Sequence, residues 1–133
     1  MTDVGGERMA ILLVDDEPRL RAALARSLSV RGHSVDQAAT HKEAIVAATE
    51  RNYDLLLIDI NLPDATGWDV LRDLRAAGRE IPAIVLSAIP PSTSRVREFG
   101  PLAVLHKPFP MEALLRLVRP LAARGDSLAS PSD

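Results

Sequence analysis

Four nearly continuous apolar runs and a weaker fifth, separated by stretches of helical spacing, constrain this chain more than any other feature. The strong runs are Met9–Val14 (MAILLV), Tyr53–Ile58 (YDLLLI), Ile81–Leu86 (IPAIVL) and Pro101–Leu105 (PLAVL); His33–Ala38 is the weaker one. Runs of this kind suit strands buried on both faces, as in a parallel sheet covered by helices. Leu20, Ala23, Leu24, Ser27 and Leu28 recur at three- and four-residue spacing after Pro18, a good first-turn residue, and Gly32 closes that helix. Thr40-His-Lys-Glu43 reads as a capping box opening a helix through Ala44, Ile45 and Ala48. A loop with Pro63 and Gly67 leads to a helix carrying Val70, Leu71 and Leu74, closed by Gly78. The last helix is expected from about Pro110 to Ala123, with Met111, Leu114, Leu115, Val118 and Leu121 on one face. Strands alternating with helices in this way predict an α/β domain with a doubly wound, five-stranded parallel sheet.

The 133-residue length suits one domain at residues 9–123, with residues 1–8 and 124–133 read as frayed, disordered tails. With no cysteine in the chain, a disulfide scaffold, a thiolate zinc site and cysteine catalysis are excluded. A net charge of −2 gives no basic field for nucleic acid or an acidic membrane, so direct DNA binding is not expected. No apolar run approaches the ~20 residues of a membrane helix, and Met1–Met9 contains no secretory core, so a cytoplasmic location is the expectation.

In a doubly wound sheet, ligands bind beyond the carboxyl ends of the strands. The first strand ends in Asp15-Asp16 with Glu17 behind, the third in Asp59, the fourth in Ser87 and the fifth in His106-Lys107-Pro108. A parallel sheet gathers all of these on one edge. Three carboxylates together repel unless a proton or a cation neutralises them. A hard divalent ion such as Mg²⁺ is the natural occupant. Taken singly, an aspartate after a strand is an ordinary helix cap, Ser87 a loop residue and Lys107 a solvated charge. Composition sharpens the last of these: of 16 basic residues, only Lys42 and Lys107 are lysine. A compact ammonium at a strand end, where the chain otherwise writes arginine, suits an anion. Carboxylate, Mg²⁺ and lysine together make a phosphoryl-transfer site.

Asp15-Asp16, Asp59 within DINLPDATG (59–67), Ser87-Ala88 and Lys107-Pro108-Phe109 resemble, in order and spacing, the receiver domain of two-component response regulators. The resemblance spans roughly residues 9–121 and implies the flavodoxin-like strand order 2-1-3-4-5. It implies Asp59 as phosphoacceptor, and Mg²⁺ held by Asp15, Asp16, Asp59 and the backbone carbonyl of Asn61, with Asp16 the direct ligand and Asp15 acting through water. It further implies Lys107 on the phosphoryl oxygens with a cis bond to Pro108, Ser87 and Ala88 at the phosphate, and Ser87 as the switch hydroxyl. The implied partners are a histidine kinase or phosphotransfer protein and a downstream protein. The implied chemistry is signalling rather than turnover, apart from self-phosphorylation from small donors and self-dephosphorylation by an in-line water. Gly67 is assigned a permissive backbone after the loop.

Two positions depart from the pattern. Val104 stands where the family carries Tyr or Phe, and the segment from Ser87 to Lys107 is short and contains Pro90-Pro91. The fourth helix is therefore expected within about Thr93–Phe99, short or irregular, with altered transmission along that face. A stand-alone receiver is the leading expectation. A receiver-like interaction module that signals without phosphorylation is the first rival, and a haloacid-dehalogenase-type aspartate phosphatase the second; the latter needs Asp-x-Asp, against Asp15-Asp16-Glu17 here. His33, His41 and His106 share no metal-ligand spacing and read as surface residues. Trp68 reads as a rim or helix-packing residue, Phe109 as packing for the last helix, and Arg124-Gly125-Asp126 as a chance tripeptide. The arginines of the helices (Arg19, Arg21, Arg26; Arg72, Arg75; Arg116, Arg119) read as solvated faces.

Overall fold

The computed structural model describes residues 8–129, with side chains through Ala122. Five strands and five helices alternate: β1 (Ala10–Val14), α1 (Pro18–Val30), β2 (Ser34–Ala38), α2 (His41–Glu50), β3 (Leu55–Asp59), α3 (Gly67–Ala76), β4 (Ala83–Ser87), α4 (Thr93–Phe99), β5 (Ala103–His106) and α5 (Met111–Ala129). The strands form one sheet in the order β2-β1-β3-β4-β5, every neighbouring pair parallel. This is the expected doubly wound fold.

The two faces of the sheet bury separate cores because side chains alternate along each strand. Ile11, Leu13, Leu55, Leu57, Ile84 and Leu86 face α1 and α5, meeting Leu24, Leu28, Leu114, Leu115 and Val118. Leu12, Val14, Leu56, Ile58 and Val85 face the other way, against Ala44 and Ala48 of α2, Trp68, Val70 and Leu74 of α3, and Phe99 of α4. On α1 the inner face carries Ala25, whereas the expected Ala23 is exposed.

The helix ends follow local chemistry. Pro18 opens α1. Thr40 caps α2 by accepting from the Glu43 N–H, but Glu43 reaches back to the Ala39 N–H rather than to Thr40 itself. A full capping box, unremarked in the sequence, sits at Thr66, whose hydroxyl accepts from the Asp69 N–H while Asp69 accepts from the Thr66 N–H. Thr66→Ala is expected to cost about 1 kcal/mol, read as a lower urea midpoint with an unchanged slope.

The fourth helix is short, as expected, spanning Thr93–Phe99 and capped by Ser92 and by Gly100 in the left-handed region. Two expectations are corrected. The fourth and fifth strands begin at Ala83 and Ala103, each two residues later than expected, because Pro82 and Pro101 lack the N–H that a ladder needs. The segment expected as a C-terminal tail is helical through Ala129, since LAARGDSLA is mostly good helix formers and the next proline is Pro131. The expected tail residues 1–7 and 130–133 lie outside the described residues. Among the described residues no helix is long and apolar enough to cross a membrane.

Candidate functional site

Register brings the strand ends together. Val14 pairs with Ile58, Asp59 with Leu86 and Ser87 with His106, so Asp15, Asp59, Ser87 and Lys107 all emerge at one edge. Backbone bonds just past the strands extend this order: Asp15 N donates to Ala38 O (3.0 Å) and Lys107 N to Ser87 O (2.8 Å).

Asp15 is fully buried and Asp59 is 5% exposed, whereas Asp16 faces solvent. Carboxylate oxygens of these three residues lie within 4.8 Å of one another. Lys107 closes the cluster. Its ammonium is 2.7 Å from Asp59 Oδ2, 2.9 Å from Asp15 Oδ2 and 3.2 Å from Glu17 Oε1. Burial works against the ammonium, but hydrogen bonds to Asp59 and Asp15 outweigh it and hold the Lys107 pKa above the ordinary lysine value. Asp15 shows the opposite balance: burial raises its pKa against the lowering pull of the Glu17 N–H and of Lys107.

The Asp59 carboxylate is held at both oxygens, Oδ1 accepting from Asn61 N (3.0 Å) and Oδ2 from Lys107. Asp15 Oδ1 accepts from Glu17 N (2.9 Å). Its Oδ2 is buried and lacks a well-directed hydrogen bond, so the attraction of Lys107 is its only compensation. A buried carboxylate oxygen whose one partner is the Lys107 ammonium, beside two further carboxylates, belongs to a donor set that a hard divalent cation takes, so the residues present fit Mg²⁺.

The other expected site residues are placed as follows. Asn61 forms a one-residue antiparallel bridge with Thr66, shaping the loop after Asp59. Ser87 is buried, and its hydroxyl is engaged by its own loop, donating to Ile89 O and accepting from Ile89 N (3.2 Å). Ala88 is exposed beside it. The Lys107–Pro108 bond is cis, as the resemblance implied. Val104 lies on β5 with its side chain partly open to solvent.

Glu17, expected on this edge but given no role there, joins the Lys107 cluster. Several contributors escaped the sequence. Arg21, expected on a solvated face, donates to Asp15 O (2.8 Å) and to Gln37. Arg75 lies over Phe99 and donates to the Glu98 and Phe99 carbonyls at the end of α4. Gly67 does not have a left-handed backbone. It is needed because a Cβ there would stand 2.5 Å from the Asp59 carbonyl oxygen. Asp64 of the same loop caps α2 through the His41 and Lys42 N–H groups (2.8 and 3.1 Å). Of the histidines, His33 is half-buried and accepts from Met9 N, His41 pairs with Asp73 at 2.8 Å, and His106 is exposed.

Residues 8–129 thus form a five-stranded parallel domain with an acidic, lysine-closed pocket at its carboxyl edge, where doubly wound sheets bind their ligands. A family model described as the response regulator receiver domain matches residues 11–119, and the chain belongs to this family of two-component signalling domains. That membership sets aside the dehalogenase-type reading. Among curated relatives, the chain is 37% identical over 126 residues to the probable transcriptional regulatory protein SilR of Salmonella typhimurium, covering 93% of this chain and 55% of that one. It is 38% identical over 119 residues to the transcriptional regulatory protein CusR of Escherichia coli K12, covering 88% and 52%. The chain thus spans about half the length of these relatives. Among solved structures, the response regulator TrrA of Thermotoga maritima, in complex with Mg²⁺ and BeF, superposes with a TM-score of 0.74 at 30% identity, covering 84% of this chain and 97% of that one. A Francisella receiver domain gives 0.79 at 27% identity, covering 88% and 98%.

Proposed function

We propose that this domain accepts a phosphoryl group on Asp59 from a histidine kinase or phosphotransfer protein, with Mg²⁺ bound, and passes the signal on through protein contacts as a switch in its own right. The observation that carries the reading is the Lys107 ammonium held between Asp59 and Asp15, at 2.7 and 2.9 Å, in a pocket built of carboxylates. A buried lysine so placed pairs with carboxylates at rest and is positioned to meet phosphoryl oxygens.

An Asp59 oxygen forms the new bond to phosphorus as the bond from phosphorus to the donor's leaving group breaks, giving an acyl phosphate. Asp15, Asp16, Asp59 and the Asn61 carbonyl would hold Mg²⁺, which would supply charge neutralisation at the transferring oxygens. Asn61 N and Lys107 fix the orientation of the Asp59 carboxylate. Ser87 and Ala88 flank the position at the end of β4, where the Ser87 hydroxyl can exchange its Ile89 partners for a phosphoryl oxygen.

The test is incubation of the chain with acetyl phosphate and Mg²⁺, followed by intact mass. A gain of one phosphoryl group, dependent on Mg²⁺, is expected. No gain would overturn the reading and favour a module that signals without phosphorylation, which the aliphatic Val104 on β5 would then explain.

Acid should weaken metal binding early. The Asp15 pKa is raised above its unfolded 3.8, chiefly by burial. A carboxylate raised in this way destabilises the folded state above its folded pKa, and that cost disappears as pH falls below the unfolded value. Protons therefore compete with Mg²⁺ at a higher pH than an ordinary aspartate allows. Calorimetric titrations should show affinity for Mg²⁺ falling as pH drops, and Asp15→Asn should flatten that limb while weakening binding throughout.

A further inference from the structure

A continuous set of contacts joins the Asp59 site to α4 along the α3 side of the fold. Gly67, the first residue of α3, lies so close to the Asp59 backbone that a Cβ would meet its carbonyl oxygen at 2.5 Å, and its N–H donates to Ile60 O at 2.7 Å. The next residue, Trp68, is buried, and its ring stacks on Phe99 with centroids 5.4 Å apart and planes 20° from parallel. Phe99 is the last helical residue of α4. Arg75 lies over the same ring at 5.3 Å and donates to the Glu98 and Phe99 carbonyls, so α3 holds the C-terminal end of α4 by both stacking and hydrogen bonds. Among helices, α3 is the main packing partner of α4.

Phe99 also lines a cleft of about 170 Å³ together with Leu71, Leu74, Ile81 and Gly100. A close-packed interior passes displacement on rather than absorbing it, and a ring can move only where free volume receives it. The cleft provides that volume, and Gly100, in the left-handed region at φ 56°, is the joint where the chain leaves α4. On the β5 side, by contrast, Val104 has no ring that could leave or fill a slot.

We propose that the state of Asp59 is transmitted to α4 through Gly67, Trp68 and Phe99, by displacement of the Trp68–Phe99 stack toward the cleft. This rests on the reading of Asp59 as phosphoacceptor and names how that site is coupled to a surface element.

The experiment measures amide exchange of residues 93–100 in the full chain with Mg²⁺ alone and with Mg²⁺ plus beryllofluoride, while fluorine NMR reports beryllofluoride binding. The wild type is expected to bind and to change exchange in α4. Trp68→Leu, and Phe99→Leu from the other side of the stack, should still bind beryllofluoride but lose the α4 change. Trp68→Phe, which keeps a ring, should retain it, and Val104→Ala should respond like the wild type. Binding without any α4 change in the wild type would overturn the proposal. So would a full α4 response in either leucine variant, or its loss in Val104→Ala. Failure of the wild type to bind beryllofluoride would instead overturn the phosphoacceptor reading beneath it.

Discussion

Asp59→Asn should gain no mass from acetyl phosphate and Mg²⁺ under conditions that fully convert the wild type. The amide has no anionic oxygen to attack phosphorus, so the expected effect is complete loss rather than slowing. Structure should survive the change. The asparagine carbonyl can keep the bond from Asn61 N, and Lys107 still has Asp15 at 2.9 Å and Glu17 at 3.2 Å. Removing one of three clustered carboxylates also removes its repulsion with the other two. The variant should therefore fold and unfold in urea much like the wild type while remaining inert to phosphoryl donors. Residual, Mg²⁺-dependent mass gain in Asp59→Asn would move the acceptor to Asp15 or Asp16.

Gly67→Ala is the single methyl addition expected to harm the fold most. The new Cβ would meet the Asp59 carbonyl oxygen at 2.5 Å and the Ile60 Cα at 3.1 Å, both backbone atoms of a buried strand end that cannot rotate away. Overpacking typically costs 1–3 kcal/mol, and a clash with fixed backbone belongs at the top of that range, about 3 kcal/mol. That is a large share of the ~5–15 kcal/mol stabilising a domain. Urea unfolding should show the midpoint fall accordingly. Because relief requires α3 to lift away from Asp59, phosphoryl uptake should fall as well. A variant as stable as the wild type would mean that α3 docks more loosely than these distances require.

Local pattern carried most of the fold. Continuous apolar runs, Pro18, Thr40 and the glycines after α1 and α3 act within a few residues, so the elements and their alternation were legible before any contact was known. Pro90-Pro91 and the short Ser87–Lys107 segment confined α4 for the same reason. The Asp15, Asp16, Asp59, Ser87 and Lys107 gathering was also legible, because parallel strands bring their carboxyl ends to one edge irrespective of detail.

What was missed depends on partners distant in sequence. Of the two readings of Trp68, rim or helix packing, the second holds, but its partner Phe99 on α4 is a fact of helix placement that α3 alone does not encode. Gly67 is required by Asp59, eight positions earlier, and no φ-based rule detects that. Arg75 looks solvated on its own helix wheel until the end of α4 is brought over it.

The partition of aromatic residues between the two faces of the sheet has a consequence for how unfolding is observed. Tyr53, Trp68 and Phe99 all belong to the core under α2, α3 and α4, whereas the fully buried members of the core under α1 and α5 are aliphatic. The chain has one tryptophan, so its emission watches half of the molecule. Far-UV circular dichroism weighs all five helices together. Coincidence of the two melting curves would measure cooperativity across the sheet, and a gap between them would give the free energy at which one half yields before the other.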